Sequence, residues 1–197
     1  AWQTAITYPQ RLEKLAIFNV PHLDVMTHFL LRNFTQFRKS WYIYFFQVPG
    51  LPEWLLRRND CANARRMLLT SSKPGSFNQA DLAEYVKAWS QPGALTSMVN
   101  WYRAALHHGF HSSRNPREVA PRRVQVPTLI LWGKNDIALS HEMAQPSLGL
   151  CDDGQLVFFE NATNWVQHDE AQAVTQNLIR VFQESLIISY QLNALQG

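Results

Sequence analysis

One carboxylate stands where a parallel sheet would bind a ligand. The apolar run Val126–Trp132 predicts a buried strand, Gly133 ends it, and Asp136 follows three residues later. Ligands of open α/β sheets bind outside the carboxyl ends of the strands, so this acid is well placed for catalysis. The same side chain could instead cap the turn or the helix that follows, and the sequence alone leaves both roles open.

The elements needed to position such a site alternate along the chain. Further strands are predicted at Leu12–Phe18 and Gln155–Phe159, and helices at Ser140–Leu150 and in the amphipathic stretch after Asn161. Strands and helices in alternation are typical of a parallel sheet covered by helices. We therefore predict an α/β fold.

A long helical stretch interrupts this alternation. From His22 to about Val119, apolar residues recur three and four positions apart, as expected for amphipathic helices. Turn residues divide the stretch at three places: Pro49–Gly50, Lys73–Gly75 and Pro92–Gly93. Several helices of two to four turns are predicted between the first and second strands.

This order predicts two structural parts. Residues 1–20 and 121–197 are predicted to form a partial sheet core, and residues 21–120 a helical cap or lid inserted between two strands. The first residues, Ala1–Ile6, have the pattern of a helix interior with no capping residue ahead of them. We expect from this that the chain starts inside a larger fold.

The segment that carries the acid has a recognisable pattern. Trp132–Asp136 is Trp-Gly-x-x-Asp, which resembles the acid-bearing strand of α/β-hydrolases, where nucleophile, acid and histidine follow one another along the chain. The resemblance implies that Asp136 is the catalytic acid and that the histidine lies after the next strand. In the matching stretch Asn161–Gln167, however, Asn164 stands directly before Trp165, where the family has His-Trp.

Two tyrosines in the helical stretch carry a narrower resemblance. Tyr42 lies five residues before Gln47 of a Gln-x-Pro motif, and Tyr102 lies in the Asn-Trp-Tyr-Arg segment Asn100–Arg103. Both segments resemble the lid of epoxide hydrolases, and Asn19–His22 is similar to that family's exit from the sheet into the lid. The resemblance implies that the two phenols donate hydrogen bonds to the epoxide oxygen, and that an aspartate nucleophile lies ahead of the first residue.

The resemblance also implies a reaction. The aspartate would open a small apolar epoxide to a covalent ester, and a His-Asp pair would activate the water that releases the diol. An amide is not basic, so Asn164 predicts an inactive enzyme, and His168 lies about one helical turn, ~6 Å, too far along to replace the imidazole. Two alternatives stay open: a haloalkane or haloacid dehalogenase, and a non-catalytic ligand-binding or interaction module that has kept the pocket.

The composition argues against other classes of partner. The formal charge is +3 and the arginines are scattered in short pairs, which does not predict nucleic-acid binding. Cys61 and Cys151 have no metal-ligand spacing, which predicts free thiols, no metal and no cofactor, and favours the cytoplasm. No apolar run approaches the ~20 residues of a membrane helix, so no membrane partner is predicted. The oligomeric state is left open.

Overall fold

The computed structural model describes residues 1–111 and 122–194, with side chains described for residues 1–107 and 122–183. The predicted lid boundary near residue 120 lies outside the described residues. Among the described residues, no helix has the length and apolar character to cross a membrane.

A small parallel sheet carries the site. Its strands are Leu15–Phe18 (β1), Thr128–Gly133 (β2) and Gly154–Phe159 (β3), in the order β1-β2-β3. All six residues of the central strand β2 are buried, as its continuous apolar run predicts. The three strand predictions and the α/β class are confirmed. Because the strands are parallel, the residues that follow each of them meet at one edge of the sheet.

Helices fill the rest of the chain. Between β1 and β2 lie the helices that we call the lid: Leu23–Arg32 (α2), Phe34–Lys39 (α3), Trp41–Phe45 (α4), Leu51–Ser71 (α5), Gln79–Trp89 (α6) and Ala94–His111 (α7). The sheet region adds Trp2–Thr7 (α1) before β1, Ala144–Leu148 (α8) before β3, and Val166–Asp169 (α9) and Ala171–Ala194 (α10) after it. The predicted breaks in the lid fall between α4 and α5, between α5 and α6, and between α6 and α7.

Two helix predictions need correction. The stretch Ser140–Leu150 is not one helix, because a 3-10 turn at His141–Met143 precedes the short α8, which contains Pro146 without an N–H to donate. The long α5 is interrupted at Arg58–Cys61, where the last three residues have φ of 52°, 53° and 56°. The interruption contains neither glycine nor proline, the residues from which the other breaks in the helical stretch were predicted, and it was therefore not predicted.

The core alternates across β2. Ile130 and Trp132 belong to a cluster on one face of the sheet, while Leu129 and Leu131 pack on the other face with residues of α9 and α10. A third cluster lies inside the lid, and Trp165 of the sheet region packs against it. The sheet is therefore covered on both faces, and the lid has a core of its own that contacts the loop after β3.

Candidate active site

Asp136 accepts four hydrogen bonds and is 3% exposed. Its Oδ1 accepts from the backbone N–H groups of Ala138 and Leu139, at 2.7 and 2.9 Å. Its Oδ2 accepts from the side-chain amides of Asn19 at 2.9 Å and Asn164 at 2.7 Å. The capping role is thus observed, since Oδ1 caps the turn after β2, while Oδ2 faces the two side-chain amides.

Asn164 reaches the acid because its loop lies against the end of β2. The N–H of Asn135 donates to the carbonyl of Ala162 at 2.9 Å. A Cβ on Gly133 would come within 2.2 Å of the Thr163 carbonyl oxygen, so only glycine permits this approach. The two amino acids that the resemblance pairs, Asp136 and Asn164, are therefore held side by side.

Asn19 is a site residue that the sequence reasoning did not single out. It directly follows β1, is 1% exposed and has φ of 49°. Its Oδ1 accepts from the N–H of Gly133 at 2.9 Å, while its Nδ2 donates to Asp136 and also lies 3.3 Å from the Gly133 carbonyl. The rule about carboxyl ends of strands, applied to β1 as well as β2, would have found it.

The two lid tyrosines meet each other. The rings of Tyr42 on α4 and Tyr102 on α7 are in edge-to-face contact with centroids 5.6 Å apart, and both contact Phe46. Burial raises the pKa of both phenols, and for Tyr42 the neighbouring Tyr102 and the charge of Asp136 raise it further. Both hydroxyls therefore stay protonated at neutral pH and can serve as donors.

Arg103 fixes the relative position of the two tyrosine helices. It follows Tyr102 on α7, and its guanidinium donates to the carbonyls of Phe46 and Val48 at 2.9 and 3.0 Å. It also forms a two-point ion pair with Glu53 at 2.6 and 3.2 Å, which lowers the pKa of that carboxyl. The sequence motif contained this arginine, but its role becomes clear only from these contacts.

Gln36 joins the lid to the turn after Asp136. It is fully buried, its Nε2 donates to the carbonyl of Ala138, and its Oε1 accepts from the N–H of Ser140, both at 2.9 Å. Lys39, one turn further along α3, donates from Nζ to the carbonyl of Asp136 at 3.1 Å. The lid is thus attached to the turn that carries the acid.

Asp169 joins the lid to the loop that carries Asn164. Its Oδ2 accepts from the N–H and the hydroxyl of Thr163, each at 2.6 Å, and its Oδ1 accepts from the Ser76 hydroxyl and from the N–H of Lys73 at 3.3 Å. Burial raises the pKa of the carboxyl, but these hydrogen bonds outweigh that effect and the pKa is lowered. The carboxylate thus connects the lid to the loop that carries Asn164.

His168 lies at this lid contact and not beside the acid. Its ring packs on Phe77 with centroids 4.4 Å apart, and its Nε2 is 3.4 Å from the Tyr85 hydroxyl. The imidazole is half-buried between lid and loop. In the described part of the chain, no group of three or more His, Cys, Asp or Glu side chains could hold a metal ion.

Comparisons with known proteins bear on the family and the fold of the chain. No protein-family model matches the chain. It is 37% identical over 179 residues to "AB hydrolase superfamily protein YfhM" of Bacillus subtilis, covering 91% of this chain and 60% of that protein. It is 34% identical to human "Epoxide hydrolase 4", covering 89% of this chain and 48% of the relative. The chain thus spans about half to three fifths of the length of these relatives.

Solved structures show the same fold. An epoxide hydrolase of Bacillus megaterium, solved with an inhibitor, superposes with a TM-score of 0.79 at 21% identity, covering 92% of this chain and 64% of that one. A metagenomic epoxide hydrolase from a hot environment gives a TM-score of 0.71 at 22% identity, covering 91% of this chain and 62% of that one. With the parallel sheet, its flanking helices and these sequence relatives, the chain belongs to the α/β-hydrolase superfamily, in which it is epoxide hydrolase-like.

Proposed function

We propose that this chain carries the acid, the ring-oxygen donors and the lid of an epoxide hydrolase-like protein. It opens a small apolar epoxide to a covalent aspartyl ester and, with Asn164 in place of a base, does not go on to release the diol. The observation that supports this best is the edge-to-face contact of Tyr42 with Tyr102 on the lid, where the charge of Asp136 contributes to the raised pKa of Tyr42. Two protonated phenols on one side and a buried acid on the other suit a substrate whose reacting oxygen becomes negatively charged.

The first chemical step needs those phenols. A nucleophilic aspartate, which is not among the residues assigned to this site, attacks one epoxide carbon and forms an ester bond. The carbon–oxygen bond of the ring breaks, its electron pair moves to the oxygen, and the alkoxide takes a proton from a tyrosine. Tyr42 and Tyr102 are the donors in this proposal, and the charge on the oxygen is stabilised before the proton moves.

The second step depends on the residue at position 164, where this chain has asparagine and the resembling family has histidine. Hydrolysis of the ester requires a base that removes a proton from water, and Asp136 would orient and stabilise that base. A carboxamide can bind a water but cannot accept its proton. We therefore propose that the protein reacts with an epoxide once and remains esterified.

The lid tyrosines give the proposal its test. The protein encoded by the longest open reading frame that contains this chain is treated with a simple aryl epoxide. Ester formation is followed by intact-protein mass spectrometry. Tyr42→Phe and Tyr102→Phe should each slow alkylation by about 10²–10³-fold, as expected when one donor to a developing oxyanion is removed. Tyr85→Phe, which alters a lid tyrosine beside His168, serves as the matched control. Equal alkylation rates in all variants would refute the assignment of the donors.

One observation favours a second candidate, a non-catalytic ligand-binding module. Asp136 already accepts four hydrogen bonds from neutral donors, so its carboxylate is satisfied without an imidazole. A protein of this kind could bind a neutral ligand beside the phenols and remain chemically inert. Saturable binding of the aryl epoxide, with neither adduct nor diol, would support this candidate over the enzyme.

A further inference from the structure

Asn19 has an uncommon backbone conformation, which its side-chain contacts stabilise. A φ of 49° lies in the left-handed region, which is uncommon for residues other than glycine, and asparagine is one of the few that adopt it readily. Such conformations persist where the surroundings hold them, and they cluster at functional sites. Asn19 is also 1% exposed, so every polar atom of its side chain must find a partner within the protein.

The two halves of the Asn19 carboxamide do different things. Its oxygen accepts from the N–H of Gly133 at 2.9 Å, which joins the ends of β1 and β2. Its nitrogen donates to Oδ2 of Asp136 at 2.9 Å, beside the bond that Asn164 makes to the same oxygen. The first bond is structural, whereas the second acts on the acid of the site.

We propose that Asn19 is a positioning residue for Asp136: its amide N–H holds the carboxylate so that Oδ2 is presented to residue 164. This proposal rests on the function proposed above, because it assigns the orientation of the same acid. The turn amides of Ala138 and Leu139 hold Oδ1, but they leave Oδ2 dependent on two side-chain donors. Asn164 is half-exposed and can exchange its bond for water, so the buried Asn19 is the donor that fixes the direction.

The substitution Asn19→Asp separates the two halves of the carboxamide. It keeps an oxygen for the N–H of Gly133 and replaces the donor by a second carboxyl beside Asp136. At low pH the pair holds a proton, and one carboxyl can still donate to the other. At high pH, once both carboxyls are ionised, the charges repel, and Oδ2 of Asp136 is no longer held toward Asn164. The other ionisable groups near Asp136 are the amine of Lys39 and the phenol of Tyr42, whose pKa is raised by burial, by Tyr102 and by Asp136.

The measurement is the side-chain amide resonance of Asn164 in ¹⁵N-labelled protein. In the parent, the hydrogen bond to Asp136 should shift one amide proton downfield and slow its exchange. Asn19→Gly tolerates the left-handed backbone but lacks the carboxamide, so the downfield shift should be lost and exchange should become about fivefold to tenfold faster. In Asn19→Asp, the downfield shift should survive at the lower pH and be lost at the higher pH. Asn177→Ala, which removes an amide on α10, is the matched control.

The outcomes separate this proposal from the proposed function. If Asn19→Gly and Asn19→Asp both keep the parent resonance at both pH values, Asn19 has only a structural role and the proposal is overturned. If the parent itself shows an ordinary solvated Asn164 amide, the arrangement of Asp136 and Asn164 is wrong and both proposals fall. Failure of epoxide alkylation with the resonance pattern intact would contradict the enzyme function alone.

Discussion

Replacing the Asp136 carboxylate by a carboxamide should destabilise the protein strongly, although the two side chains have nearly the same shape. The carboxylate accepts from Asn19 and Asn164 on one oxygen and from Ala138 and Leu139 on the other. A carboxamide has only one oxygen. In either orientation, Asp136→Asn therefore points an NH₂ group at two N–H donors.

The size of the effect follows from burial. With the amide oxygen toward the turn, Asn19 loses its acceptor in a buried place, and the new NH₂ group also lacks one; each unsatisfied buried group costs about 1–3 kcal/mol. Water can replace the bond to the half-exposed Asn164, so that side adds little. The opposite orientation leaves the N–H groups of Ala138 and Leu139 without an acceptor. We expect a loss of about 2–4 kcal/mol in the free energy of unfolding.

Urea denaturation at pH 7 in dilute solution, followed by tryptophan fluorescence, measures this loss. Asp60→Asn is the matched control, since Asp60 is exposed, and its change should stay within about 0.5 kcal/mol. If Asp136→Asn costs less than about 1 kcal/mol, the carboxylate is not the shared acceptor of four donors.

Three further predictions concern the surroundings of the site. Asp169→Asn should destabilise the protein at neutral pH. The difference in unfolding midpoint from the parent should vanish as the pH falls below about 4, because the lowered pKa of Asp169 gives stability that is lost when the carboxylate is protonated. A difference in unfolding midpoints that does not depend on pH would contradict this. Gly133→Ala should lower the free energy of unfolding by about 1–3 kcal/mol or more and reduce the downfield shift of the Asn164 side-chain amide, because the new Cβ would clash with the Thr163 carbonyl. An unchanged melting temperature and an unchanged amide spectrum would refute the close approach. The chain expressed alone should self-associate as its concentration rises, because β1 has an unpaired edge among the described residues; a concentration-independent monomer in analytical ultracentrifugation would count against it.

Local patterns predicted most of the sheet and one half of the site. A continuous apolar run ending in glycine indicated β2, and the residues after such a strand must lie at the ligand-binding edge, which placed Asp136. The lid was predictable for the same reason, since helical periodicity and turn residues are short-range signals. Tyr42 and Tyr102 were reached only through a family resemblance, because no periodicity relates residues on two different helices.

The contacts that hold the site together join residues that are far apart along the chain, so no short-range sequence pattern predicts them. Gln36 reaches across 102 positions to Ala138, and Asn19 reaches across 117 positions to Asp136. Sequence spacing does not reveal that β1 lies beside β2, so the bond from Asn19 to Asp136 was not predicted, although the place of Asn19 directly after a strand pointed to the ligand-binding edge. The contacts of His168 were not predicted for a similar reason, since the lid residues that cover it are far away along the chain.

The central claim is that Asn164 occupies the position of the catalytic base beside Asp136. The most direct test uses the protein encoded by the longest open reading frame that contains the chain, and compares the parent with the Asn164→His variant. Each is treated with an aryl epoxide, and the diol released per protein molecule is measured. The account predicts at most one equivalent of covalent ester and no steady diol for the parent, and repeated diol release for the Asn164→His protein, because loss of such a base commonly costs several orders of magnitude in turnover. Steady diol release by the parent, at a rate that the histidine does not increase, would contradict it.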